Sequence, residues 1–227
     1  MLQLVIGNKN YSSWSMRAWV LLHQADIAFT ERQLRFDSFD PQSEFKRAIT
    51  AIHPAGQVPV LIDGDLVIAD TLAIAEYLAE THPQAQLWPV DRAARARARS
   101  AVAHVHAGFT GLRRALPMNI EADLPDIGAQ LLATDDALRD DLDRLFGLWR
   151  ELIERSAGPL LFGQFCIADA FFAPVVMRLL SYHMPVPGDL QPYVQAVWQL
   201  PSVQAWVDAA LAEHDFIAFE EPYRSTP

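Results

Sequence analysis

Apolar and polar positions change period several times along residues 1–81, and each change marks an element. Leu2-Gln3-Leu4-Val5-Ile6 is a short, nearly continuous apolar run of strand length. Asn8 to Ser13 is polar and turn-like. Met16, Trp19, Val20 and His23 then recur at i, i+3, i+4 and i+7, which predicts a helix starting among Ser12, Ser13 and Ser15. Residues 28–34 alternate weakly and read as a second strand. Asp40-Pro41 opens a short helical stretch to about Ala51, and His53-Pro54-Ala55-Gly56 breaks it. Val58–Ile62 and Leu66–Ile68 are two short apolar runs joined by Asp63-Gly64-Asp65, which is hairpin chemistry because glycine tolerates positive φ. Pro59 cannot donate to a sheet ladder, so it must lie at an edge or at a strand start. A helix opening on Asp70-Thr71 completes the order β-α-β-α-β-β-α, in which the crossover implies parallel pairing and the hairpin antiparallel pairing.

The pattern changes at His82-Pro83, and Leu87-Trp88-Pro89-Val90 reads as a linker. From Asp91 to about Glu213 the period is helical and no strand is convincing. Prolines at 117, 125, 159, 185, 187 and 201 divide this stretch into four to six expected helices. Leu138, Leu142, Leu145, Phe146, Trp149 and Leu152 keep one apolar stripe at helical spacing.

With 227 residues, 51% of them hydrophobic, the chain can bury one large core or two small ones. A formal charge of −10 argues against nucleic acid or an anionic membrane as the main partner, and it means that an anionic ligand needs a local positive site. Cys166 is the only cysteine, which excludes an internal disulfide and fits a reducing, cytoplasmic setting. The apolar run at Leu2–Ile6 is too short for a secretory leader, and no run approaches membrane-spanning length.

Two constellations carry candidate chemistry. Tyr11-Ser12-Ser13-Trp14-Ser15-Met16-Arg17 places three hydroxyls at a helix start, where one would suffice as a cap. Val58-Pro59 is followed by Asp70-Thr71 at the next helix N-terminus, whose free N–H groups and positive dipole end suit a carboxylate. Backbone left unpaired beside a proline, close to such a helix end, suits a peptide-like ligand.

On these residues the chain resembles the glutathione transferase superfamily over nearly its whole length. Ser12-Ser13-Trp14-Ser15-Met16-Arg17 is similar to the serine motif of the zeta class, with Trp14 where that class usually has cysteine. Gln57-Val58-Pro59 resembles the family's cis-proline turn, Asp70-Thr71 its Glu-Ser or Gln-Ser pair, and Phe165-Cys166-Ile167-Ala168-Asp169 the buried capping motif of its second domain. The resemblance implies a thioredoxin-like α/β unit over residues 1–81 that binds glutathione. It further implies a linker over 82–91 and an all-helical unit over 92–227 supplying the pocket for an electrophile.

The activity implied is conjugation of the glutathione thiolate to small apolar electrophiles, with glutathione as co-substrate, no metal, and a homodimer as the assembly. The alternatives are a cis-trans isomerase of the maleylacetoacetate type and a non-catalytic binding protein on the same fold. A free thiol with a pKa near 8.5 is only roughly 3% thiolate at pH 7, and lowering it by about two units takes roughly 2.7 kcal/mol of differential stabilisation. A serine hydroxyl supplies part of that by donating a hydrogen bond to the anion. The resemblance assigns this donation to Ser12, with Ser13 close behind as hydroxyl or backbone donor, and leaves Ser15 as the helix cap. The main chain of Val58 beside Pro59 would pair with the cysteinyl unit. Thr71 would hold the γ-glutamyl carboxylate, Asp70 would face the ammonium group, and Gln57 would bond the peptide backbone. Lys46, Arg47 and His53 are open candidates for the glycine carboxylate.

Other conspicuous residues read as structural. Asp169 is expected to cap a buried helix, with Cys166 a poorer acceptor than the usual hydroxyl. His104 and His106 lie two apart and point in different directions on a helix, a poor metal pair. The acids at 135, 136, 140, 141 and 143 read as a solvated face. Phe109, Met118, Met177 and Tyr182 are candidates for the electrophile pocket.

Overall fold

The computed structural model describes residues 1–226; Pro227, the last residue of the expected helical unit, lies outside the described residues. Four strands form one sheet in the order β2-β1-β3-β4, from β1 (Leu2–Ile6), β2 (Phe29–Gln33), β3 (Val60–Asp63) and β4 (Leu66–Ala69). β1 runs parallel to β2, with Leu4 opposite Glu31, and antiparallel to β3, with Leu4 opposite Leu61. The β3–β4 hairpin closes through Gly64 at φ 58°, with Asp63 opposite Leu66. β3 lies in the interior of the sheet, so Pro59 owes its place to the strand start and not to an edge. The Val58–Pro59 peptide bond is cis.

Strand alternation explains the two faces of this sheet. Leu2, Leu4 and Ile6 point into a large core shared with α1 (Ser13–Gln24) and α3 (Thr71–Thr81). Val5 and Val60 point the other way, onto Phe36, Phe45 and Ile49 beside α2 (Glu44–Ile52). α1 is buried continuously from Ser15 to Leu22 because α3 and the helical half cover opposite sides of it; His23, expected on its apolar stripe, is exposed. α2 begins at Glu44, later than Asp40-Pro41 suggests, because Ser43 takes the cap and accepts the Lys46 N–H at 3.1 Å.

The helical half contains seven α-helices among the described residues, one more than the upper end of the sequence expectation. They are α4 (Arg92–Ala107), α5 (Thr110–Ala115), α6 (Pro125–Thr134), α7 (Asp136–Glu154), α8 (Ile167–Ser181), α9 (Gln191–Trp198) and α10 (Pro201–Glu213). α8 is the central one, with 13 of its 15 residues buried. The segment before α4 is firmly anchored: Leu87 and Trp88 are buried, Trp88 Nε1 donates to Glu76 at 3.1 Å, and the Leu87 carbonyl accepts the Ile167 N–H at 2.9 Å. Arg99 on α4 holds Glu76 on α3 through two hydrogen bonds of 3.0 and 3.1 Å, a second tie between the halves.

After α10 the chain turns back across both halves. Tyr11 Oη donates to Glu221 Oε1 at 2.7 Å, Asn119 donates to Glu221 Oε2 at 2.7 Å, and Arg35 pairs with Asp215 at 2.6 Å. A short turn of 3-10 helix, Ala218–Glu220, is thereby pinned beside the start of α1. Among the described residues no helix is long and apolar enough to cross a membrane.

Candidate active site

A cavity of about 720 Å³ opens between the two halves, within the roughly 300–1,000 Å³ typical of small-molecule sites. Its walls include Ser12, Ser13, Gln57, Val58, Pro59 and Asp70, so six of the seven residues singled out in the sequence meet there. Thr71 does not line it; that residue is 1% exposed and its hydroxyl is buried without a partner. Lys46 and His53 are on the wall and Arg47 is not. Lys46 Nζ donates to the Gly56 carbonyl at 2.8 Å, and His53 Nδ1 accepts the Ala55 N–H at 3.2 Å, which leaves its Nε2 side uncommitted. Of the four side chains expected in an electrophile pocket only Met118 faces the cavity; Phe109, Met177 and Tyr182 are core.

The serine cluster divides its labour differently from expectation. Ser12 occupies the N-cap position of α1, yet its side chain makes no capping bond. Its Oγ instead donates to Ser15 Oγ at 2.7 Å, and Ser15 Oγ accepts the Gly7 N–H at 3.2 Å. Ser15 therefore ties the end of β1 to α1 and is not the cap. Two hydroxyls at this distance can exchange roles, so Ser15 can donate to Ser12 and leave the Ser12 proton free for another acceptor. Ser13 Oγ accepts from Arg178 Nη2 at 3.0 Å, leaving its own proton uncommitted. Arg178 also donates to the Leu116 carbonyl, so the guanidinium is fixed at both ends.

Arginines dominate the far side, which the sequence did not single out. Arg113 and Arg178 line the cavity, and Arg17 lies just behind Trp14, 4.2 Å from its ring centroid. Arg113 sits 5.7 Å from the same ring. Burial pushes the Arg17 guanidinium down to about 9, with Arg178 and Arg113 acting in the same direction and Asp70 opposing. Burial likewise brings Arg178 down to about 10. Both stay charged at neutral pH, so a chain of net charge −10 carries a positive inner wall. The signal available in the sequence was Arg178 itself, a lone charge within the apolar run from Phe171 to Leu180.

Glu220 closes the cavity from the returning tail. Burial raises its carboxyl to about 7, against the pull of Arg178 and with the push of Glu221. The unfolded chain releases this proton near 4.5 and the native chain only near 7. The native state therefore holds the proton more tightly, and this stability contribution is present below about pH 4.5 and lost as pH rises through 7. Denaturant unfolding between pH 4.5 and 7 should show that declining component in the wild type and lack it in Glu220→Gln; equal slopes in both would contradict it.

Comparison with known proteins places this geometry. A family model for "Glutathione S-transferase, N-terminal domain" matches residues 11–81. Glutathione S-transferase 1 of Dianthus caryophyllus is 30% identical over 176 residues, covering 75% of this chain and 74% of that one. The chain belongs to the glutathione S-transferase family. A probable maleylacetoacetate isomerase of Caenorhabditis elegans is 35% identical over 100 residues, 44% of either chain. The crystal structure of a glutathione transferase homologue from Burkholderia gl BGR1, with bound glutathione, superposes with a TM-score of 0.68 at 27% identity, covering 94% of this chain and 99% of that one. The family's thioredoxin-like sheet and helical second half are the two halves described above.

Proposed function

We propose that this member of the family is a serine-type glutathione transferase, in which a hydroxyl at the start of α1 stabilises the glutathione thiolate for attack on a small electrophile with an apolar body. The observation that carries the reading is one cavity wall, on which the Ser12 and Ser13 hydroxyls, the Val58–Pro59 backbone and the Asp70 carboxylate stand together. The reading divides the chain into a glutathione-binding unit over 1–81, a linker over 82–91 and a helical unit from 92.

In this reading Val58 pairs its main chain with the cysteinyl unit, Gln57 bonds the ligand backbone, and Asp70 takes the ammonium group. The γ-glutamyl carboxylate meets the N-terminus of α3, where Thr71 contributes its N–H. The glycine carboxylate falls to Lys46 or His53. Ser12 donates to the sulfur, and the α1 N-terminus, which no side chain caps, adds its dipole. The thiolate then attacks the electrophile, forming a C–S bond as the leaving group departs with its electron pair, or as an activated double bond takes up a proton. Trp14, Pro117 and Met118 form the apolar wall for the second substrate.

The isomerase reading has its own support. Arg113 and Arg178 on the wall suit an acidic substrate, and a probable maleylacetoacetate isomerase is among the relatives. There glutathione adds to a double bond, the adduct rotates, and elimination returns the thiolate with no net consumption.

Calorimetric titration of the wild type with glutathione decides first: binding at or below about 1 mM is expected, of the order of Km values in enzymes, and no binding would remove the site assignment. Turnover then separates the readings, since an activated aryl halide consumes glutathione stoichiometrically and a cis diketo acid is isomerised without consuming it. Inertness toward both, with glutathione bound, would favour the non-catalytic alternative. The reading includes a homodimer, which light scattering would refute by returning a monomer's mass.

A further inference from the structure

The Asp70 carboxylate is held from two sides. On its own helix, Oδ1 accepts the N–H of Leu72 at 2.7 Å and that of Ala73 at 3.4 Å. From the last turn of α4, His106 Nε2 lies 3.2 Å from Oδ2. Asp70 stands on the cavity wall, and His106, which does not line the cavity, lies beside it.

His106 is itself immobilised. Its ring stands edge-on to Trp14 at 5.0 Å and lies 6.3 Å from Phe171, and its carbonyl accepts from Arg113 Nη1 at 3.3 Å. Nδ1 is buried with no hydrogen-bond partner. That fixes the tautomer. With the proton on Nε2 the buried Nδ1 is a bare lone pair, whereas an imidazolium would bury an unpaired N–H, the more costly defect. The charged and titratable groups that act on the ring are Asp70 at the N-cap of α3, Arg17 from α1 and Arg113 from α5, while α8 presents the Phe171 ring. Burial and the two arginines hold the imidazole below its ordinary value, and Asp70 opposes them without prevailing.

A neutral donor at this point does something a cation cannot. Lysine or arginine would also orient Asp70, but each would cancel its charge. A neutral N–H beside the second oxygen leaves the full negative charge to act on whatever enters the cavity.

We propose that His106 is a positioning residue for a ligand ammonium group, a neutral Nε2–H donor that holds the Asp70 carboxylate toward the cavity for the α-ammonium of the γ-glutamyl unit. This rests on the reading that the cavity takes glutathione. It adds a residue from the helical half to the glutathione subsite and gives that subsite a pH dependence. Acidification through the lowered imidazole pKa, below the ordinary imidazole range, charges His106; Asp70 then becomes half of a closed ion pair, and the ligand ammonium loses its partner.

The test compares glutathione with its analogue lacking the α-ammonium group, titrated calorimetrically into wild type, His106→Leu and His106→Gln. In His106→Leu the Kd for glutathione should rise roughly tenfold at pH 7.5, the scale of a lost hydrogen bond to a charged group, while the Kd for the analogue stays as in wild type. The glutamine amide can donate from nearly the same place, so His106→Gln should bind glutathione within about twofold of wild type. Wild type should also lose glutathione affinity as the pH is taken down through and below the ordinary imidazole range, while His106→Gln holds its affinity. An equal loss for both ligands in His106→Leu would make His106 merely structural and overturn the proposal, as would unchanged binding of glutathione. Should the leucine variant fail to fold, the pH profiles of wild type and His106→Gln decide, and parallel profiles would sink the proposal. Failure of wild type to bind glutathione removes the parent reading as well, and is told apart because no substitution is involved.

Discussion

Ser12→Ala should cut turnover by up to about twentyfold at pH 7 and recover most of it by about pH 9. A thiol held near 6.5 is mostly thiolate at neutral pH, whereas one returned to about 8.5 is only a few per cent ionised. The loss therefore belongs to the ionised fraction and fades once solvent pH ionises the thiol unaided. The pH dependence separates this effect from a distorted α1, which would depress turnover at every pH. Ultraviolet titration of the thiolate band in bound glutathione reads the same shift without an electrophile. Ser13→Ala is the companion variant, because Arg178 donates to Ser13 Oγ and leaves that proton free as well. If Ser13→Ala shows the pH-dependent loss and Ser12→Ala does not, the two serines exchange roles. If neither shows it, a serine-held thiolate is wrong for this chain.

The largest effect on stability is expected at Asp169, which is fully buried at the start of α8. One carboxylate oxygen accepts the Cys166 N–H at 3.0 Å and the other the Leu161 N–H at 3.2 Å. The carboxylate's half of the capping arrangement is thus intact despite cysteine at the cap. Asp169→Ala leaves two buried N–H groups unpaired at the head of the most buried helix. At about 1–3 kcal/mol for each orphaned group, the loss should be about 3–5 kcal/mol in denaturant unfolding. Burial also raises the Asp169 carboxyl to about 6, against the opposing effect of its two N–H donors. The proton-linked part of its stability contribution is therefore full below about pH 4 and declines as pH rises through 6. Activity should fall along with stability, because α8 carries Arg178 to Ser13 at its other end. A loss below about 1 kcal/mol would show that solvent or a neighbour satisfies those N–H groups.

Much of this was legible in the residues. β1, the hairpin, the helix at Asp70-Thr71 and the serine cluster follow from period, turn chemistry and capping, which act over a few neighbouring positions. The places where local reading fell short have physical causes. α6 and α7 are separated by Asp135 alone, which caps α7 by accepting the Leu138 N–H at 3.0 Å. With no glycine or proline at that junction, the two helices read as one. Pro59 was read as an edge or a strand start with equal reason, and only the pairing of β1 with β3 chooses between them. Arg113, Arg178 and Glu220 reach the cavity from distant parts of the chain, and no short-range pattern could bring them to Ser13. His106 and His104 make a poor metal pair by their spacing along α4, and the neighbour of His106, Asp70, caps another helix and so has no signature in that spacing.

The returning tail has a consequence for how the molecule melts. One wall of the cavity comes from residues near the start of the chain and another from Glu220, which the Tyr11–Glu221 bond draws into place. A ligand that touches both binds only when both halves are folded, so it acts on them as a thermodynamic staple. At about a hundred times its Kd, such a ligand adds about 2.7 kcal/mol to the folded state. Heating should then show a single transition that moves upward as a whole with ligand concentration, leaving no helical remnant to melt at its unliganded temperature.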